Sequence, residues 1–464
     1  MPLVLGANSV SGYNVANSLR FNSGSSDFLN RTQGTSTAQT KATISFWFKR
    51  SILGTTQRIF EGYTAATDAG NGQIEIYGDQ IVFGGYNTDL RKPTQLFRDV
   101  SAWYHLIVAC DTTLATANDR VKIYLNGSEI TAFDTSNNPT QNSTLGINNN
   151  SAVLQIGRRR IGSSNDNFFN GYLSEFYFID GQQLTPSSFG ETDTLSGIWK
   201  PKAYTGTFGN NGFYLQFKNS ASLGTDSSGN GNTWTVNNLT SIDQTTDTPT
   251  NNFCTMNFVD NLAGSGSGTL TQGNTNVTYT GGDFKTNATI APNKAKWYWE
   301  SKAVANTRQG TIGMRIGFQE IPNTFSVTGM VENASFGMLA HPSAGVYSVV
   351  NGSNVLRSAS LTYVDGDIIG IALDLDNNIS YWYKNGTLSV TYDFSALSTI
   401  NSKNIAPTFG NGSGSSSPEI NANFGNPSIT IASGNADGEG FGNFEYAVPA
   451  GYFALCSKNL AKYG

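Results

Sequence analysis

Charged side chains are scarce in this sequence. Asp, Glu, Lys and Arg make up 13% of 464 residues, about half the share of an average soluble domain. The net charge of −5 supplies no clustered cations with which to neutralise nucleic-acid phosphates. The one basic run, Arg158-Arg159-Arg160, reads as a solvated strand edge. Histidine occurs twice, as His105 and His341. A Ser-His-Asp triad would need one of these as base, and no Gly-x-Ser-x-Gly elbow precedes a helix. His105 is expected to be packed and hydrogen-bonded, and His341-Pro342 to form a turn.

Cysteine is equally sparse. Cys110, Cys254 and Cys456 are odd in number and widely spaced, which excludes a disulfide framework and a zinc knuckle. Each sits in an apolar run and reads as a buried, reduced small hydrophobe, as in a chain synthesised in a reducing cytoplasm. No run of about 18 apolar residues occurs, so no membrane insertion is expected. The start, Met1-Pro2-Leu3-Val4-Leu5-Gly6, lacks the basic region and long apolar core of a signal peptide.

Gly, Ser, Thr and Asn fill the space that charge leaves, and aromatics reach 12%. Turn formers with many aromatics predict an all-β chain. No stretch carries a 3.6-residue apolar period in good helix formers. Strands are predicted near 43–49, 58–61, 73–77, 80–83, 103–111, 120–125, 152–156 and 172–179. In Val121-Lys122-Ile123-Tyr124-Leu125 the odd positions are aliphatic and would face a core. Asn126-Gly127 follows, the pair that tolerates positive φ at both turn positions. The second half repeats the device, where Ile379-Ser380-Tyr381-Trp382-Tyr383-Lys384 runs into Asn385-Gly386. The polar stretch 237–250 places a join near residue 245, giving domains 1–245 and 246–464. The Gly/Ser runs 263–268 and 410–417 read as loops.

Three segments of the first half occur in the order of one known family. They are 42–49 (Ala-Thr-Ile-Ser-Phe-Trp-Phe-Lys), Trp103-Tyr104-His105-Leu106-Ile107-Val108, and Lys122-Ile123-Tyr124-Leu125-Asn126-Gly127. Phe169-Asn170-Gly171-Tyr172-Leu173-Ser174-Glu175-Phe176 closes the set. Over residues 15–200 the chain resembles the laminin-G-like, concanavalin-type family. From 250 to 464 it resembles the SPRY family. The matching segments there are Lys296-Trp297-Tyr298-Trp299-Glu300, Ile316-Gly317-Phe318, 366–376 and Tyr381-Trp382-Tyr383-Lys384-Asn385-Gly386. Together they imply two concanavalin-like antiparallel β-sandwiches of jelly-roll type in tandem. SPRY modules bind proteins or peptides through loops and are not catalysts. The tandem, with 213–217 and 226–232 between its halves, resembles virion surface and fibre proteins of tailed phages.

The chemistry of such sandwiches narrows the function. Glycosidases of this fold place Glu-x-Asp-x-Glu or a near variant on one strand, aiming carboxylates at one sugar bond. Glu61, Glu75, Glu129, Glu175, Glu300 and Glu320 each lack a Glu partner two to five residues away. No enzyme is expected, and no catalytic residue is assigned. Asp374-Leu375-Asp376-Asn377-Asn378 reads as a structural turn, because the Gly and distal Glu of a calcium loop are missing. The laminin-G resemblance leaves room for one structural Ca²⁺, to which no residue is assigned; no other cofactor is expected. Trp47, Trp297, Trp299 and Trp382 are expected in the core. Tyr63, Tyr86, Tyr204 and Tyr347, near Gly or Asn clusters, are the loop aromatics on which a sugar could stack. The resemblance implies a non-enzymatic protein on a virion surface that adheres to a host glycan or protein. Its other partners are virion proteins, with a homotrimer by analogy to phage fibres. The alternatives are a capsid decoration or head-fibre role and, more remotely, a glycan-active enzyme. No sustained heptads provide a coiled-coil docking segment.

Overall fold

The computed structural model describes residues 12–161, 164–263, 266–282, 284–305, 314–321, 336–350, 353–397, 404–411 and 417–464. The chain divides into two compact units, Ser9–Thr250 and Asn251–Gly464. Both are antiparallel β-sandwiches.

In the first unit, sheet I runs Ser128–Glu129, Val121–Leu125, Tyr104–Asp111, Lys41–Arg50, Gly171–Asp180, Ser18–Phe21 and Gln244–Thr245. Sheet II runs Phe133–Ser136, Asp89–Pro93, Gln80–Gly84, Asn71–Tyr77, Gln57–Tyr63, Val153–Ile156, Phe28–Thr32 and Thr235–Asn237. The period of two sorts each strand. Ile44, Phe46 and Phe48 enter the core between the sheets with Leu106, Val108 and Cys110. Each such side chain contributes about 1.5–3 kcal/mol on burial. The alternate residues Ile107, Ala109, Tyr177 and Ile179 face outward, beside Tyr214 of the further strand Phe213–Leu215 that pairs with Gly171–Asp180, yet are buried under residues 181–208 through Phe189, Tyr204 and Phe208. This segment is a strap over sheet I.

In the second unit, sheet III runs Met256–Ala263, Phe284–Ala288, Asn404–Asn411, Met314–Ile321, Phe336–His341, Gly345–Val350 and Ser353–Ser358. Sheet IV runs Gly266–Thr271, Asn276–Gly281, Glu419–Asn423, Lys296–Ala305, Ile368–Asp374, Ile379–Lys384 and Thr387–Asp393. Trp297, Trp299 and Trp382 lie in the core between them. Residues 425–456 form a second strap, packing Phe444 and Tyr452 on Tyr298 and Ala372 of the outer face of sheet IV.

One buried glutamate lies on the covered outer face of each of these two sheets. Glu175 sits at φ +51, where the register of Gly171–Asp180 against Lys41–Arg50 shifts. It accepts hydrogen bonds from the hydroxyls of Tyr13 and Tyr177 (both 2.8 Å) and Tyr214 (2.7 Å). Glu300 accepts from the Tyr298 hydroxyl (3.0 Å) and the backbone amides of Glu445 and Tyr446 (both 2.9 Å). Burial pushes both carboxyls above their ordinary range, against the pull of these donors.

Both Asn-Gly pairs adopt the expected turn, with φ of 47° and 84° at Asn126 and Gly127 and 49° and 77° at Asn385 and Gly386. The three cysteines are buried and none is in a disulfide. Four expectations need correction. The units divide after Thr250 rather than near 245, because buried Asp247 still belongs to the first sandwich; it accepts from Lys49 Nζ (2.8 Å) and Trp103 Nε1 (3.0 Å). The Gly/Ser run is not all loop. Residues 266–268 open the strand Gly266–Thr271, and Gly268 leaves room for the Phe284 ring, which a Cβ would meet at 2.2 Å. Residues 264–265, and 412–416 of the other run, lie outside the described residues. Trp47 is buried but faces outward, stacked on His105 at 4.7 Å. The arginine run is half-covered rather than solvated: Arg158 lies 3.4 Å from the Phe28 ring centroid, and Arg159 pairs with Asp166.

Candidate functional site

With sheet I strapped over, concavity in the first sandwich is found at the rim of sheet II. A cleft of about 260 Å³ opens between the ends of Asn71–Tyr77, Gln80–Gly84 and Asp89–Pro93 and the connecting segment 138–147. Its floor is apolar, formed by Phe83, Leu90, Leu145 and Ile147. Glycine lets the segment lie on the strands: a Cβ at Gly146 would fall 2.1 Å from the Asn71 carbonyl carbon. Anchors on the sandwich hold the segment. Arg91 donates to Asn138 Oδ1 (2.8 Å), Thr112 Oγ1 to the Ser143 carbonyl (2.7 Å), and the Leu145 amide to the Gln39 carbonyl (2.8 Å).

The polar wall is equally fixed. Asp68 accepts from the Asn87 amide (2.6 Å) and the Thr88 hydroxyl (2.7 Å), which hold its carboxyl below the ordinary range. These bonds set the turn that carries Tyr86. Asn71 lines the cleft and is 1% exposed. Its Nδ2 donates to Glu61 Oε1 (2.9 Å), while its Oδ1 is buried without a hydrogen-bond partner. Leaving such an acceptor unpaired costs about 1–3 kcal/mol. Thr140, Ser143 and Thr144 add hydroxyls to the same wall.

Beside the cleft lies a charge network that sequence spacing does not reveal. Glu61 and Glu75 stand on neighbouring strands, where the register sets Glu75 opposite Arg58. Arg58 donates to Glu61 (3.3 Å), to Glu75 (2.9 Å) and to Gln73. Glu61 is buried and accepts also from the Arg160 amide (2.6 Å). Burial raises its carboxyl even against Arg58. Parity along the two paired strands, rather than distance in sequence, is the signal that puts these carboxylates on one face.

The four tyrosines do not form one site. Tyr86, 38% exposed, stands at the turn between Gly85 and Thr88, both of which line the cleft. Tyr63 is half-buried and ends a strand rather than lying in a loop, opposite Asn71 in register. Tyr204 belongs to the strap over sheet I, stacked on Phe189 at 5.2 Å with its hydroxyl on the Thr207 carbonyl (2.9 Å). Tyr347 lies in the second unit on the strand Gly345–Val350, against Leu339 and Val349. Asp68, Asn71 and the segment 138–147 were not singled out from sequence.

Asp374, weighed above as part of a calcium loop, and Asp226 in the segment 226–232 are both occupied by protein donors. Asp226 takes the amides of Tyr214, Ser228 and Asn232 (2.9, 2.9 and 2.7 Å). Asp374 takes those of Asp376 and Asn377 (3.1 and 3.0 Å) and Lys296 Nζ (2.8 Å). Among the described residues no group of three or more His, Cys, Asp or Glu is placed to hold a metal. His105 is buried and locked: Trp199 Nε1 donates to its Nδ1 (2.8 Å), so its Nε2 carries the proton toward Ser45 Oγ (2.8 Å). Burial drives its pKa down to about 3. His341 ends the strand Phe336–His341 and faces Ser343.

A two-sheet antiparallel sandwich is the fold of a concanavalin-like domain. Residues 23–188 match the family model Laminin_G_3, described as the concanavalin A-like lectin/glucanases superfamily. Among solved structures, the chain is similar to the SPRY domain of human HERC1 at 15% identity and TM-score 0.29, covering 36% of this chain and 96% of that one. It is similar to a heptameric SAP-like pentraxin from Limulus polyphemus (16%, TM-score 0.27, covering 38% and 80%). A candidate carbohydrate binding protein from Bacteroides ovatus is also similar (14%, TM-score 0.34, covering 48% and 59%). No curated protein matches the chain in sequence.

Proposed function

We propose that this chain is a non-enzymatic adhesion protein of a tailed-phage particle, holding a host surface saccharide in the rim cleft of its first sandwich. The observation that carries the reading is a preformed cleft of about 260 Å³ with an apolar floor and a wall bearing the Thr140, Ser143 and Thr144 hydroxyls. A neutral sugar matches this lining, with hydroxyls for the polar wall and an apolar ring face for the floor. The volume is below that of sites for drug-sized ligands and suits one sugar ring. Tyr86 at the mouth supplies a stacking surface. Absence of catalysis is supported by Arg58, which binds both Glu61 and Glu75, and by the neutral, fully engaged His105. Placement on a virion rests on the resemblance of the tandem, and weak sites in many copies would multiply affinity there.

The test is a glycan panel probed with the full chain, followed by titration of the best ligand. Thr140→Trp, at an exposed lining position, is expected to abolish binding by filling the cleft. Tyr86→Ala is expected to weaken it about fivefold to tenfold. Binding that survives Thr140→Trp places the ligand elsewhere. Turnover of the bound glycan, lost in Glu61→Gln, would make the chain an enzyme. Immuno-electron microscopy of particles tests the location, and label over the head lattice would favour a decoration role.

A further inference from the structure

The rim cleft carries charge of one sign. Asp68 is the one Asp, Glu, Lys, Arg or His among the residues that line it, all of which belong to the described part of the chain. Its neighbours on the lining, Gly85 and Thr88, are uncharged, as are Asn138, Thr140, Ser143 and Thr144 of the connecting segment.

The acids beside the cleft are neutralised and this one is not. Arg58 pairs with both Glu61 and Glu75 (3.3 and 2.9 Å). Asp68, which is exposed, is held by dipoles instead. It accepts from the amides of Asn87 and Thr88 (2.6 and 3.2 Å) and from the Thr88 hydroxyl (2.7 Å). Donors of this kind favour the ionised carboxylate and leave its net charge in place. No cation contributes to holding it. Arg91 does not line the cleft. It is 3% exposed and spends its guanidinium on the carbonyls of Leu90 (2.8 Å) and Val121 (3.1 Å) and on Asn138 Oδ1 (2.8 Å). A cleft of about 260 Å³ is on the order of one Debye length across, which is about 8 Å at physiological salt. An anionic group bound inside it meets the Asp68 charge before salt screens the two. It gives up hydration there with no Lys or Arg to receive it.

We propose that Asp68 makes the cleft selective for uncharged saccharides and excludes acidic ones, those bearing uronate, sialate, sulfate or phosphate groups. The inference rests on the saccharide reading of the cleft and names the class of sugar it takes. Asp68 acts through its field on the ligand's substituents, so its signature is a ratio of affinities and a dependence on salt.

The test compares each neutral glycan found on the panel with its counterpart oxidised to the uronate at C6. Both are titrated into the full chain at about 0.01 M and about 1 M salt, where the Debye length is about 30 and 3 Å. The uronate is expected to bind about tenfold more weakly at low salt, and the gap is expected to narrow at high salt. Asp68→Asn keeps one oxygen to accept from the Asn87 and Thr88 amides and is expected to reduce the low-salt gap to about twofold. The salt series on the parent chain decides the matter if the variant does not fold. A uronate that binds as tightly as its neutral parent overturns the proposal and leaves the saccharide reading standing. So does a gap that neither salt nor Asp68→Asn changes, which is steric. Neutral glycans that fail to bind, or that bind unchanged in Thr140→Trp, remove the saccharide reading of the cleft and this inference with it.

Discussion

Two buried titratable side chains of the first sandwich respond to acid in opposite directions. His105 is held neutral, with a pKa near 3 from burial against about 6.5 in an unfolded chain. The folded state resists its protonation, so its contribution is complete above about pH 6.5 and is lost as pH falls toward 3. Asp27 behaves inversely. Burial raises its carboxyl to about 6, and its Oδ1 has no partner. Its contribution is complete below about pH 3.9, the unfolded value, and is lost as pH rises through 6. Asp27→Asn keeps an acceptor for the Asn22 amide and is expected to raise the melting temperature at pH 7 but hardly at pH 4. His105→Gln is expected to lower it at pH 7 and to flatten the decline between pH 6.5 and 4. Thermal melts of both variants at three pH values check the two signs.

The Asn-Gly hairpins and the straps meet at one point in each sandwich. A Cβ on Gly127 would lie 2.5 Å from the Trp199 ring, and one on Gly386 2.5 Å from the Tyr446 ring. Both glycines also have positive φ. Gly127→Ala and Gly386→Ala are each expected to cost about 1–3 kcal/mol or more, read from urea unfolding. The turns were legible in sequence because a two-residue motif between alternating strands determines them locally. What lies over them was not. Trp199 is far along the chain from Gly127, and Glu175 collects phenols from Tyr13 and Tyr214, residues that no window of sequence brings together. The same holds for the cleft. The strands Asn71–Tyr77 and Gln80–Gly84 were foreseen and Asp89–Pro93 was not, and Asn71 and Gly146 meet only through the path of a polar connection with no periodicity of its own. Loop tyrosines could be picked by type, yet whether a ring is free, like Tyr86, or packed, like Tyr204, depends on the strap.

At the scale of the molecule, each unit has its own core, one built on Phe46, Ile74 and Phe176 and the other on Trp299, Ile371 and Phe409. Residues 9–250 made alone are expected to melt cooperatively and to bind the same saccharide with unchanged affinity, measured by calorimetry. In both units a strap covers one outer sheet face, which directs recognition toward the rims and the opposite sheet. The cleft segment 138–147 is tied to the sandwich by Arg91, Thr112 and Gln39, and these ties reach it through Asn138 and the backbone at Ser143 and Leu145. Side chains between those ties, such as Thr140 and Thr144, can be exchanged without loss of an anchor. The lining of the cleft can therefore change by substitution at a few positions, while the framework that presents it is kept intact.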